Sequence, residues 1–135
     1  MSLTKVLVVD DEDDIAWGIA TRLRFAGYDV LTACDGVEAV KMAVEELPDL
    51  VILDIGLPDL DGHAVARNLQ TLDATASTSI IYLTARTAIE DRTRAYETGA
   101  IAYLTKPYRS PDLLSAVERA ATATRNMRCE NNVEY

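Results

Sequence analysis

Apolar residues fall along this chain in two alternating rhythms. Short, mostly apolar stretches at Lys5–Val9, Leu50–Leu53, Ser79–Leu83 and Ile101–Leu104 have the length and composition of strands, and Tyr28–Thr32 is strand-like. Between them, spacings of three and four mark helices. Ile15 to Ala26 sets Ile15, Ile19, Leu23 and Ala26 on one stripe, and Gly27 closes it as a left-handed cap. Val37 to Leu47 directs Val37, Val40, Ala43, Val44 and Leu47 inward, with Pro48 after its end. Ala64 to Leu72 is a short helix, followed by the small polar loop Asp73–Thr78. Ala88 to Thr98 is a helix closed by Gly99. Pro111 takes the first position of a last helix whose inward residues are Leu113, Leu114, Val117, Ala120 and Ala121.

Five strands alternating with five helices predict an α/β fold, a doubly wound parallel sheet covered on both faces. Its crossovers are expected to be right-handed. In such sheets ligands bind beyond the carboxyl ends of the strands. Those ends carry unusual residues here. The first strand runs into Asp10-Asp11, the third into Asp54, the fourth into Thr84 and the fifth towards Lys106.

A carboxylate at the end of a strand buried on both faces is costly unless something pairs with it. If the loops after strands one and three are neighbours, three carboxylates crowd together. Two of them about 4 Å apart repel by roughly 4 kcal/mol at an effective dielectric of 20. Lys106 supplies one compensating charge, and a divalent ion would supply two more. An all-oxygen donor set suits Mg²⁺, which also readily adds phosphate oxygens. A carboxylate can itself attack a phosphoryl group to give an aspartyl phosphate. Asp54 beside Mg²⁺, a lysine and a threonine hydroxyl has the parts for that reaction. Glu12, Asp13 and Asp14 need no such account, because acids suit the start of a helix.

The chain of 135 residues is long enough for one domain with a proper core, and 49% hydrophobic residues make it globular. Its net charge of −9 argues against direct nucleic-acid or anionic-membrane binding. Cys34 and Cys129 form no metal-binding spacing, which fits a reducing cytoplasm. No apolar run is long enough to span a membrane, and the N-terminus carries no secretory pattern.

Taken together, "VLVVDDE", "LVILDIGLPDLDG", "IIYLTAR" and "GAIAYLTKP" resemble the response-regulator receiver domain of two-component signalling. The resemblance spans about Lys5 to Arg125, dividing the chain into a receiver domain over residues 4–125 and a polar tail over 126–135. It implies a flavodoxin-like (βα)5 fold with strand order 2-1-3-4-5. It implies that Asp54 accepts a phosphoryl group from a sensor histidine kinase or a phosphotransfer protein. Asp10, Asp11, Asp54 and the Gly56 backbone carbonyl would hold Mg²⁺. Lys106 and Thr84 would stabilise the phosphoryl group, with Thr84 and Tyr103 acting as the switch. The peptide between Lys106 and Pro107 would be cis. Output would pass to a downstream effector through the fourth helix, fifth strand and fifth helix. The protein would be cytoplasmic, a phosphoacceptor with intrinsic transfer and dephosphorylation chemistry, and not an enzyme acting on an outside substrate.

Two positions depart from the family's habits. Position 56 is glycine, so it offers no side chain to gate an attacking water, while Arg86 could cover part of the site. Ile101 and Ala102 stand where many DNA-binding regulators carry two acids that bridge an activated dimer. The chain also stops soon after the last helix, as expected of a stand-alone receiver or a piece of a longer protein. His63 reads as a surface or partly packed residue. Trp17 lies off the helical stripe, as an exposed contact for a kinase or a lid on the core edge, the lid being favoured. Among rivals, an FMN binder would need a phosphate loop where this chain has five consecutive acids, Asp10–Asp14. A haloacid-dehalogenase-like phosphatase would want a second aspartate where Gly56 stands. A receiver-like scaffold without phosphorylation would not need all of Asp10, Asp11, Asp54, Thr84 and Lys106.

Overall fold

The computed structural model describes residues 4–85, 102–106 and 108–131, with the side chains of Thr84 and of residues 124–131 outside the description. The elements are β1 (Lys5–Val9), α1 (Asp13–Phe25), β2 (Asp29–Ala33), α2 (Gly36–Glu46), β3 (Leu50–Leu53), α3 (Gly62–Thr71), β4 (Ser79–Thr84), β5 (Ala102–Thr105) and a last helix (Ser110–Asn131). All five strands are parallel, in the order β2-β1-β3-β4-β5. The expected doubly wound α/β sheet is therefore present. The helix expected over Ala88–Thr98, the cis peptide at Pro107, and Arg86 and Ile101 lie outside the described residues.

Val6 to Val9 and Leu50 to Leu53 are all buried, because helices cover both faces of the central strands. One core lies on the side of α1 and the last helix, where Val6, Val8, Leu50, Ile52 and Ile81 meet Ile19, Leu23, Leu113 and Val117. The other lies on the side of α2 and α3, where Leu7, Val9, Val51, Leu53 and Tyr82 meet Ala39, Ala43, Val65 and Leu69.

Helix ends follow local chemistry. Gly27 adopts a φ of 98°, Gly27 N–H donates to Arg24 O and Tyr28 N–H to Leu23 O, so α1 closes as expected on a glycine in a Schellman turn. α2 differs from the sequence expectation. Its buried face is Gly36, Ala39 and Ala43, while Val37 and Val44 are exposed. Leu47 is not a core position of this helix but its left-handed cap, with a φ of 50°. The reason is distance: the face made of small residues packs closest, Val40 packs half-buried beside it as expected, and Val37 and Val44 are left at the rim. Ala26 is likewise exposed, beyond the end of α1. The backbone of the last helix continues through residues 126–131, which composition reads as tail. Trp17 is not a lid: its side chain is 69% exposed, on the outer face of α1.

Candidate functional site

The register of the sheet brings the acids together. Val9 pairs with Leu53 across β1 and β3, so Asp10 and Asp54 are the next residues on neighbouring strands. Asp54 N–H donates to Val9 O at 3.0 Å and Asp10 N–H to Ala33 O at 3.2 Å, which carries the ladder one step past the strands. Thr84 ends β4 opposite Thr105, and Lys106 follows directly. The four strand ends named from the sequence thus share one edge of the sheet.

Asp10 and Asp54 are held in the same way. Asp10 Oδ1 accepts the Glu12 N–H at 2.9 Å, and Asp54 Oδ1 accepts the Gly56 N–H at 2.9 Å. Each carboxylate therefore closes a turn onto the backbone two residues on. The other oxygen of each faces Lys106, whose Nζ lies 2.8 Å from Asp10 Oδ2 and 3.1 Å from Asp54 Oδ2. Asp10 is 2% exposed and Asp54 7%. Asp11 is exposed, yet an oxygen from each of Asp10, Asp11 and Asp54 lies within 4.8 Å of the others.

The electrostatics follow from burial and from this single lysine. Burial pushes the Asp10 carboxyl above its ordinary range; the Lys106 hydrogen bond, the Glu12 N–H and the Lys106 charge pull it back, and the Asp54 charge adds to the rise. Burial alone would lower Lys106, but the Asp10 hydrogen bond and the charges of Asp54 and Asp10 outweigh it and leave its ammonium above the ordinary range. Two of the three carboxylates, Asp10 and Asp54, share Lys106. The donors are hard oxygens, two of them buried, so a hard divalent ion such as Mg²⁺ fits the residues present.

Among the described residues, a Cβ added at Gly56 would meet only Asp54 Oδ1, at 3.7 Å. Gly62 is tighter. A Cβ there would lie 2.6 Å from Asp54 O and 2.7 Å from Ile55 Cα, so the start of α3 sits directly against the backbone that carries Asp54. Tyr103 is already inward, 7% exposed, with its ring centroid 6.4 Å from that of Tyr82. His63 corrects the sequence reading: it is fully buried, its ring centroid 5.1 Å from that of Tyr82. Its spacing to Ala66 and Leu69 along the buried face of α3 was the available signal. Asp59, which sequence reasoning passed over, accepts from Gly36 N–H at 2.7 Å and Val37 N–H at 3.0 Å. No local pattern marks it, because its partners lie 22 and 23 residues away.

A parallel 2-1-3-4-5 sheet with paired acids and a lysine at its carboxyl edge defines a class of signalling domain. The chain belongs to the response regulator receiver domain family, which it matches over residues 6–118. It is 40% identical over 129 residues to the transcriptional regulatory protein PrrA of Mycobacterium leprae, covering 92% of this chain and 54% of that protein. The chain spans about half the length of the curated relatives it matches. Among solved structures, a CheY-like receiver domain protein from Methanospirillum hungatei superposes with a TM-score of 0.87 at 28% identity, over 93% of this chain and 99% of that one. A response regulator from Chloroflexus aurantiacus superposes with a TM-score of 0.85 at 33% identity, over 90% and 99%.

Proposed function

We propose that this receiver domain accepts a phosphoryl group on Asp54 from a histidine kinase or phosphotransfer protein, with Mg²⁺ bound at Asp10, Asp11, Asp54 and the Gly56 carbonyl. The observation that carries this reading is the convergence of three carboxylates and Lys106 at one sheet edge. Mg²⁺ supplies charge neutralisation for the phosphoryl oxygens when bound. Asp54 is aligned by the Gly56 N–H on one oxygen and Lys106 on the other. An Asp54 oxygen forms the new P–O bond while the P–N bond to the donor imidazole breaks, its electron pair leaving with the nitrogen. Lys106 then remains as a cation beside the added negative charge, and its burial strengthens that contact.

Thr84, at the end of β4, and Tyr103, on β5, are the residues proposed to report the modification. A phosphoryl group adds about −1.5 to −2 charges and strong acceptor oxygens, and closing the loop after β4 onto it is the response expected. Tyr103 already lies inward, so phosphorylation would stabilise that position against an outward one. The effector is proposed to bind the face that includes β5 and the last helix. The transcriptional regulators among the relatives favour an output in gene control. The chain is proposed to act in the cytoplasm, as a phosphoacceptor that turns over only its own phosphoryl group. Among the described residues no helix is long and apolar enough to cross a membrane.

The test is incubation with an acyl phosphate and Mg²⁺, followed by intact mass. The wild type should gain one phosphoryl group and Asp54→Asn none. A wild type that stays unmodified, or an Asn variant modified equally, refutes the assignment.

A further inference from the structure

The loop from Asp54 to Asp61 is anchored at more points than its own ends. Asp61 caps α3 by accepting the His63 N–H at 2.8 Å, and Gly62 N–H donates to Ile55 O at 2.9 Å. Those bonds fix the base of the loop. Its apex is held by a different element. Both oxygens of Asp59 accept from the first two N–H groups of α2, Gly36 and Val37, which have no partner within their own helix. Beside this contact the chain packs without room for a side chain: a Cβ on Gly36 would lie 2.6 Å from Leu60 Cβ and 3.0 Å from Val65 Cγ2.

We propose that Asp59 is a positioning residue for phosphoryl transfer, tying the apex of the Asp54 loop to the N-terminus of α2 and so fixing Gly56 relative to Asp54. The inference rests on the reading of Asp54 as phosphoacceptor. Gly56 acts twice in that reading, through the N–H that orients Asp54 Oδ1 and through the carbonyl proposed to meet Mg²⁺. Gly56 lies three residues from Asp59 and has no side chain of its own to pack. Its placement therefore depends on what holds the loop on either side. Below, that is the strand end and buried Ile55; above, it is buried Leu57 and, at the apex, the Asp59 carboxylate. The Gly36 N–H, then burial in the opposite sense, and the Val37 N–H leave that carboxyl below its ordinary range, so it is ionised at neutral pH and accepts both bonds fully.

α2 provides its own control. Asp35 caps the same helix by accepting the Glu38 N–H at 2.7 Å and does not belong to the Asp54 loop. Removing either carboxylate weakens the start of α2; of the two, only Asp59 also holds the apex of the loop.

Amide hydrogen exchange is measured on the whole chain without metal for wild type, Asp59→Ala, Asp59→Asn and Asp35→Ala. Initial phosphorylation rates with an acyl phosphate at saturating Mg²⁺ are measured beside it. Asp59→Ala should speed exchange at Gly56 and Gly62 by about tenfold. It should also slow phosphorylation by about tenfold, short of the roughly 100-fold that a full 1 Å misplacement can cost. Asp59→Asn, which keeps one acceptor, should fall between. Asp35→Ala should lower the melting midpoint while leaving both readouts near wild type. The proposal is overturned if Asp59→Ala leaves Gly56 and Gly62 protected, or if Asp35→Ala slows phosphorylation as much. A wild type that takes no phosphoryl group refutes the functional reading, and exchange at Gly56 and Gly62 then decides the tether by itself.

Discussion

Neutralising Asp54 should stabilise the metal-free protein. In Asp54→Asn the amide oxygen still accepts the Gly56 N–H, so the loop bond survives; the charge is lost, and with it the hydrogen bond that Oδ2 accepts from Lys106. Lys106, 3.1 Å away, attracts the Asp54 carboxylate by about 5 kcal/mol at an effective dielectric of 20. Asp10 and Asp11 both come within 4.8 Å, and at that separation each repels by about 3.5 kcal/mol. Asp11 is exposed, so water screens its share. The charge terms cancel to within about 2 kcal/mol, and desolvation decides the sign. A buried carboxylate carries a penalty of several kcal/mol, and a neutral amide of the same shape carries less. The expected gain is about 1–2 kcal/mol, or roughly 3–10 °C in melting midpoint for a domain of this size.

The assay is thermal and urea denaturation in chelator, then in saturating Mg²⁺. Binding stabilises only the protein that holds the ion, so Mg²⁺ should raise the wild type more and narrow the gap. Lys106→Met should move the other way, by about 3 kcal/mol or more, because it leaves two buried carboxylates uncompensated. The pH dependence has a defined sign. Burial raises the Asp10 carboxyl, so the folded state holds that proton more tightly than the unfolded chain. Its contribution is present below the ordinary carboxyl range near about 4 and is lost as pH rises through the raised folded value. The wild type should therefore lose stability relative to Asp10→Asn over that interval. A midpoint for Asp54→Asn equal to or below the wild type in chelator would refute the reasoning.

Two further outcomes test packing and surface chemistry. Gly62→Ala forces a Cβ to within 2.6 Å of Asp54 O, a backbone atom that cannot swing aside, and should destabilise by about 1–3 kcal/mol and perturb the amide shifts of Asp54 and Ile55; unshifted amides would contradict the close approach. Cys34 is exposed, but its thiol donates to Glu38 Oε2 at 3.3 Å, and that bond with the Glu38 charge raises its pKa; at pH 8 it should alkylate more slowly than in Glu38→Gln, and equal rates would show that the contact does not control the thiol.

The site was more legible in the sequence than the helices that surround it. Val6–Val9 of β1 and all of β3 are continuous apolar runs, the pattern of strands in a parallel sheet buried on both faces. Once the strands are set, the acid after each one falls at the same edge, so Asp10, Asp54 and Lys106 could be brought together from the sequence. On α2, side-chain size is a poor guide to burial. Valines outrank alanines on that measure, but Gly36, Ala39 and Ala43 let the helix approach closely and are the residues it buries. His63 misled because of its polar type, although its place on the buried face was visible in its spacing.

The residue that sequence could not reach at all is Asp59, and the reason is general to this architecture. A strand end can be found by periodicity, since the run that leads to it is local. A loop after the strand has no period, and what fixes it comes from elements distant in the chain. Here β1 lies between β2 and β3, and α2 returns from β2 to β3 across that intervening strand. This crossover brings the start of α2 beside the loop that follows β3. The first N–H groups of α2 then face the loop that follows Asp54. An acid in that loop satisfies groups the helix cannot satisfy itself, while Gly36 admits the side chains of Leu60 and Val65, and Gly62 the backbone of Asp54 and Ile55, at distances too short for a Cβ. Topology thus sets the order of the strand ends, and contacts of this kind set the last ångström of the loop. Substitutions at Asp59 and Gly36 should therefore reach Asp54 without touching it.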